Sequence, residues 1–274
     1  MFLAEPGHSP GELHFRLFGV PVRVHPFFWI VGLLLGMPIR DGQLLVVWIL
    51  CTFISILIHE FGHVLAFQKF GMRARIVLYS FGGLAIADRD AYAKDWGRQW
   101  RPDGHDDGNR DGWPQVMIAF AGPLAGFVLA AAIVAGLFAT GNKVEFYLGE
   151  HVSFVIGRGD WISNDRIDRL VDFMLYLNVY WGLVNLLPVY PLDGGQIARE
   201  LLSMHDSRRG VRRSLVLSIA TGAVVAAGVL VWRQGDGFFM AAMFALLAYS
   251  SYQTLKAYDQ SRGWDDDYHS SRGW

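Results

Sequence analysis

Six apolar stretches, separated by polar segments, follow one another along the chain. A helix needs about 20 apolar residues to cross a hydrocarbon core about 30 Å thick, and most of these stretches approach that length. The pattern therefore predicts an all-α polytopic membrane protein with about six transmembrane helices. The predicted spans are residues 26–39, 44–67, 115–140, 170–187, 215–232 and 237–255.

Two shorter patterns indicate β structure beside these helices. Residues 1–26 contain alternating apolar and polar positions around a Gly-Val-Pro turn, which predicts a short N-terminal strand segment at the membrane surface. Residues 76–87 are apolar, too short to cross the bilayer, and centred on Gly82 and Gly83. They predict a β-hairpin or re-entrant loop after the second helix, with a simple interfacial loop as the alternative.

Composition and charge narrow the classes of function. The chain is 53% hydrophobic and 18% charged, whereas soluble domains are about 25% charged. The net charge of −1 gives no electrostatic support for a nucleic-acid partner. The single cysteine, Cys51, excludes an internal disulfide and a multi-cysteine metal site. One side of the predicted topology holds 18 Lys and Arg residues and the other 6, so the positive-inside rule places both termini in the cytoplasm.

The second predicted span contains a metal-binding pattern. Residues His59, Glu60 and His63 form the motif HExxH within a stretch that is otherwise apolar. On a helix, histidines at i and i+4 share one face and can bind one metal ion, while the glutamate can act as the general base. Burying such groups in a bilayer is expensive, so their presence there indicates a functional site. The sequence therefore predicts a metalloprotease that works inside the membrane.

A third ligand is predicted much further along the chain. Asp193 follows the fourth predicted span, between two prolines and two glycines that preclude an ordinary helix. The second and fourth spans run in the same direction, so Asp193 and the HExxH motif fall on the same side of the membrane. Asn185 is a candidate donor of a hydrogen bond to a developing oxyanion, with helix packing as the alternative.

These motifs resemble those of the site-2 protease family of intramembrane zinc metalloproteases. The two specific ones are HExGH, here residues 59–63, and NxxPxxxLDGG, here residues 185–195. The resemblance extends over roughly residues 13–200 and includes weaker matches at 18–26, 81–85 and 121–126. The chain has no room between the motifs for the PDZ domain of many relatives, and no pair of CBS modules, so it is expected to be a minimal member.

The resemblance implies one zinc ion per chain, bound by His59, His63 and Asp193, with Glu60 as the general base and Asn185 orienting substrate or the oxyanion. It implies hydrolysis of single-pass membrane proteins, such as membrane-tethered transcription regulators or anti-sigma factors, in a bacterial cytoplasmic membrane. The predicted domains are then a surface segment 1–26, a membrane protease domain 27–255 with its catalytic core at about 44–200, and a polar, disordered tail 256–274.

Two other functions are consistent with a metal site in the bilayer. A metal transporter also places His and Asp side chains there, but it needs polar groups along the whole path, and the last two spans supply almost none. A non-catalytic scaffold that holds structural zinc usually has four protein ligands, and no fourth is evident. The polar segments 88–112 and 142–169 remain candidates for substrate gating.

Overall fold

Helices dominate the computed structural model, which describes residues 7–79, 82–87, 112–147, 152–207, 209–233 and 237–270. The elements, in chain order, are β1 Leu13–Leu17, β2 Val20–Val24, α1 Pro26–Gly36, α2 Gly42–Lys69, β3 Ala74–Tyr79, β4 Gly82–Ala87, α3 Trp113–Thr140, β5 Asn142–Tyr147, β6 Ser153–Gly157, β7 Asp160–Trp161, α4 Asp165–Tyr176, a π-helical turn Leu177–Trp181, α5 Gly182–Asn185, α6 Asp193–His205, α7 Gly210–Arg233 and α8 Phe238–Ser270.

Four helices in the described part of the chain are long and apolar enough to cross a membrane, namely α2, α3, α7 and α8. The predicted count of six is not confirmed. Helix α1 is apolar but has 11 residues, which reach only about 16 Å at 1.5 Å per residue. The predicted fourth span, 170–187, is divided among α4, the π-helical turn and α5. Its helix begins earlier than predicted, in a charged first turn capped by Asn164.

The predicted N-terminal strand is part of a four-stranded sheet in the order β1-β2-β3-β4. Strands β1 and β2 form an antiparallel hairpin, β2 pairs with β3 in parallel, and β3 pairs with β4 antiparallel. Gly82 and Gly83 lie within β4, whereas the sequence predicted them at the centre of the loop. The turn residues between β3 and β4 lie outside the described part.

One face of this sheet packs against α1 and α2. Side chains from β2 and β3 form an apolar cluster with Phe28 of α1 and with Ile56, Leu57 and Val64 of α2. Helices α1 and α2 connect the parallel strands β2 and β3. Their packing against the sheet holds the middle of α2 in place. The motif residues predicted to bind metal lie in the same part of α2.

A second, three-stranded sheet lies in the segment 142–169, which the sequence predicted only as a polar segment. Strand β5 pairs with β6 antiparallel and with β7 in parallel. Val144 and Phe146 of β5 pack with Leu137 of α3 and Leu175 of α4. The alternation of these apolar residues with Lys143 and Glu145 is the pattern of a half-buried strand.

The chain divides into two compact units. One contains the strands, α1, α2, α3 from Phe120 onward, and the described chain through Asn185; the other contains residues 112–119 and the described residues from Leu186 onward. In the second unit, α8 continues as a helix through Ser270, whereas the sequence predicted disorder from residue 256. Arg212 and Asp259 form an ion pair at 3.3 Å beside this extension, and a helix already begun adds further residues at little cost.

Candidate metal centre

Helix α2 brings His59, Glu60 and His63 together. Its first turn is capped by Asp41, whose side chain accepts hydrogen bonds from the amides of Gln43 and Leu44, and the helix then runs without interruption through the motif. The three side chains are buried, with exposed fractions of 6%, 4% and 7%. All three offer ligand atoms within 4.8 Å of one another.

The two histidines have the geometry of a metal-binding pair. Their Nε2 atoms lie 3.2 Å apart, and their rings meet edge to face at 78°. Two ligands on a tetrahedral zinc ion, each about 2.0–2.1 Å from the metal, lie about 3.3 Å apart. The spacing in the structure therefore fits two imidazoles that share one zinc ion.

Gly122 of α3 keeps space in front of these nitrogens. A methyl group at this position would overlap Nε2 of His63 and would lie 2.8 Å from Nε2 of His59. Gly62, between the two histidines, faces the carbonyl oxygen of Ala121 so closely that a methyl group would overlap that atom. The close approach of α3 to α2 thus depends on glycine, and Gly122 lies directly beside the nitrogens of both histidines.

Strand β4 covers the motif glutamate. A methyl group on Gly83 would overlap Cγ of Glu60 and would lie 2.7 Å from Oε1 of this residue. The neighbouring Gly82 is not crowded in this way, since its nearest contact is Trp181 at 3.9 Å. Glycine at position 83 therefore fixes where the carboxylate of Glu60 lies, and β4 passes directly beside that carboxylate.

A buried polar pair anchors α2 one turn before His59. The side-chain amide of Asn178 donates to Oγ of Ser55 at 2.9 Å and to the backbone carbonyl of Met174 at 2.8 Å. Ser55 and Asn178 are only 5% and 3% exposed. Asn178 lies in the π-helical turn, a distortion often found near functional sites. The sequence gives no sign of this pairing between Asn178 and Ser55.

Asn185 ends α5 and is buried. Its amide nitrogen donates to the backbone carbonyl of Trp181 at 3.1 Å. A side-chain amide carries two N–H groups, so this bond uses one donor and leaves a second N–H on the same nitrogen. The structure thus agrees with packing and leaves a donor for the predicted role in binding an oxyanion.

Asp193 begins α6 in the other unit and is 7% exposed. Gly194 and Gly195 are therefore helical, whereas the sequence predicted no ordinary helix there. The preceding loop is held at Tyr190, whose amide donates to Oγ of Ser218 at 2.9 Å and whose carbonyl accepts from Oγ of Ser251 at 3.1 Å. Gly194 and Gly195 pack so closely on the backbone of residues 186–190 that a methyl group on either would overlap it. The loop thus positions Asp193 within its unit, and its pairing with His59 and His63 stays a prediction.

Comparison with known proteins identifies the family. The model of peptidase family M50 matches residues 47–229, a range that includes every candidate site residue named above. The chain therefore belongs to peptidase family M50. Its four membrane-length helices and this membership make it an integral membrane protein.

Two curated relatives and one solved structure illustrate the similarity. The chain is 24% identical over 192 residues to a zinc metalloprotease of Methanocaldococcus jannaschii, covering 69% of this chain and 44% of that protein. It is 24% identical over 210 residues to the stage IV sporulation protein FB of Bacillus subtilis, covering 74% and 57%. The chain thus spans about half the length of these relatives. The structure of the site-2 protease from M. jannaschii matches with a TM-score of 0.52 at 20% identity, covering 89% of this chain and 95% of that one, and so shares its fold.

Proposed function

We propose that this chain is an intramembrane zinc metalloprotease that cleaves peptide bonds in or near the transmembrane segments of single-pass membrane proteins. The observation that carries the proposal is the buried pair of histidine nitrogens, 3.2 Å apart, beside the buried Glu60 in a membrane-length helix. Membership of a peptidase family favours this function over a metal transporter or a zinc-binding scaffold.

The proposed ligands of one zinc ion are His59, His63 and Asp193, two imidazoles and a carboxylate that leave a fourth position open, as catalytic zinc sites do. Zinc bound there would polarise the scissile carbonyl and lower the pKa of a water molecule. Gly122 supports this assignment, since any side chain at this position would meet the ring nitrogens of both histidines.

Glu60 is proposed as the general base. Its carboxylate takes a proton from the attacking water and passes it to the leaving amine. Asn185 is proposed to donate its second N–H to the oxyanion that develops on the scissile carbonyl. Removal of such a donor in other hydrolases slows turnover about 10²–10³-fold.

Strand β4 is proposed to hold the substrate. It is one of the two edge strands of its sheet in the described part of the chain, and Gly83 brings it against Glu60. A helical substrate hides its backbone, so it must unwind before hydrolysis, and an extended segment can pair with a strand edge. A membrane-tethered transcription regulator or anti-sigma factor fits this substrate class.

The chain is also proposed to cross a bacterial cytoplasmic membrane six times, with both termini in the cytoplasm.

The experiment compares wild type with Glu60→Gln, using the full chain in detergent and a panel of transmembrane peptides. We expect zinc to bind to both proteins and cleavage to be lost in Glu60→Gln, because glutamine keeps the shape of the side chain but cannot accept the proton. Glu200→Gln, on α6, is the matched control and should cleave normally. Normal cleavage by Glu60→Gln would rule out the proposed base.

A further inference from the structure

A second cluster of metal-ligand side chains lies beside the β1–β2 hairpin. Oε2 of Glu12 is 3.3 Å from Nδ1 of His8 and 3.3 Å from Nε2 of His14. The three ligand atoms all lie within 4.8 Å of one another. We call His8, Glu12 and His14 the surface cluster, because the two imidazole side chains are 82% and 58% exposed.

Glu12 is fixed in place although its neighbours are exposed. Its side chain is 2% exposed, and Oε1 accepts a hydrogen bond from the backbone amide of Ser9 at 3.0 Å. The other oxygen, Oε2, is therefore directed at the histidines. Burial acts to raise the pKa of Glu12, but the hydrogen bonds from Ser9 and His8 and the charge of Arg23 outweigh it, so the pKa is lowered and the carboxylate is ionised at neutral pH.

Two of the three distances between ligand atoms in the surface cluster match those of ligands around one ion. Both carboxylate-to-imidazole distances are 3.3 Å, the edge of about 3.3 Å expected for a tetrahedral zinc site. The buried pair on α2 has a corresponding distance of 3.2 Å. Strong hydrogen bonds between imidazolium and carboxylate are shorter, about 2.7–2.9 Å, so the surface cluster resembles a ligand set more closely than a pair of ion pairs.

Arg23 is the internal competitor for this cluster. Its Nη1 atom lies 3.2 Å from Nδ1 of His8 and 3.8 Å from Oε2 of Glu12. Because a guanidinium can only donate, Nη1 of Arg23 competes with a metal ion for the lone pair of Nδ1 when that nitrogen carries no proton. A metal ion has to displace this partly buried hydrogen bond, which contributes less than coordination bonds. The positive charge of Arg23 lowers the affinity of the cluster without removing a ligand.

We propose that His8, Glu12 and His14 bind a second divalent metal ion, of the zinc class, that links the segment before β1 to strand β1. Two imidazoles and one carboxylate suit zinc. The exposure of the rings leaves the fourth position to water. The site is separate from the catalytic chemistry, and it raises the expected zinc content from one to two per chain.

The test measures zinc per chain by mass spectrometry on detergent-purified full-length protein, dialysed against buffered zinc, before and after brief chelation. The variants are His14→Asn, the double variant His59→Asn/His63→Asn, and His205→Asn as a control with an exposed histidine outside both clusters. We expect two zinc ions in wild type and His205→Asn, and one in His14→Asn. Chelation should remove the surface ion first, and cleavage should be the same in His14→Asn as in wild type.

Each result separates the two metal proposals. One zinc ion in both wild type and His14→Asn, lost in the double variant, would overturn the surface site and leave the buried centre intact. One ion in wild type that is lost in His14→Asn would instead identify the surface cluster as its site and contradict the buried centre. Glu12→Gln provides a second check, since it removes the anionic ligand while keeping an acceptor for Ser9, and it should behave like His14→Asn.

Discussion

Two histidine clusters in this chain have nearly equal ligand spacings and very different surroundings. The pair on α2 is spaced by helix geometry and is nearly inaccessible, whereas the surface cluster is spaced by a hydrogen-bonded segment before β1 and is open to water. Gly122 of α3 packs against the buried pair, and Gly83 of β4 packs against Glu60 beside it. The comparison teaches that the same ligand spacing arises in two settings, but that of the two clusters only the buried one has closely packed glycines and a candidate base beside it.

The largest expected effect comes from filling the space beside the buried pair. In Gly122→Ala the methyl group overlaps Nε2 of His63, so we expect loss of the buried zinc and of cleavage, with the surface zinc retained. Gly136→Ala is the control in the same helix, because a methyl group there meets no atom within 4 Å. Zinc content and peptide cleavage check the pair. Normal zinc binding and cleavage in Gly122→Ala would contradict the assigned metal position.

A smaller effect is expected from displacing the base alone. In Gly83→Ala the methyl group overlaps Glu60, so we expect a fall in the cleavage rate of about 10²-fold or more, the usual contribution of a general base, with both zinc ions retained. Gly82→Ala adds a methyl group that only reaches van der Waals contact with Trp181 and should cleave normally. Equal rates for the two variants would show that β4 does not position Glu60.

The smallest effect is expected at the polar anchor of α2. Ser55→Ala removes the hydrogen bond with Asn178, and interhelical bonds of this kind contribute about 1 kcal/mol. We expect a small fall in thermal stability and in the affinity of the buried centre for zinc, with no change at the surface cluster. Thr52→Val is the control, because the Thr52 hydroxyl bonds only to a carbonyl of its own helix. A larger loss in Thr52→Val than in Ser55→Ala would contradict the anchor.

The sequence predicted local features better than long-range ones. The spacing of His59 and His63 follows from one helical turn, so the motif alone predicted their proximity, and alternation before Pro26 predicted the N-terminal strand. The sheet at 142–161 was missed because its alternation is short and lies in a polar segment. The fourth predicted span is not among the membrane-length helices because a π-helical turn, Leu177–Trp181, divides its α-helix.

Contacts between distant segments could not be read from the sequence. The roles of Gly83 and Gly122 depend on how β4 and α3 pack against α2, which no residue pattern specifies. The surface cluster depends on the turn at Ser9 and on the start of β1, and the irregular spacing of its three members matches no metal-binding motif. Asp193 was predicted from its motif and from topology, and its pairing with the histidines is the step that most needs a measurement.

The most direct test of the buried centre is therefore zinc affinity in Asp193→Asn, measured by competition with a calibrated chelator beside Asp206→Asn as the control. We expect the affinity of the buried site to fall by more than about tenfold, since even indirect supporting groups contribute 10–100-fold, and cleavage to be lost, while Asp206→Asn and the surface zinc stay unchanged. Wild-type zinc affinity in Asp193→Asn would contradict the account, because it would show that the metal is held without the second motif.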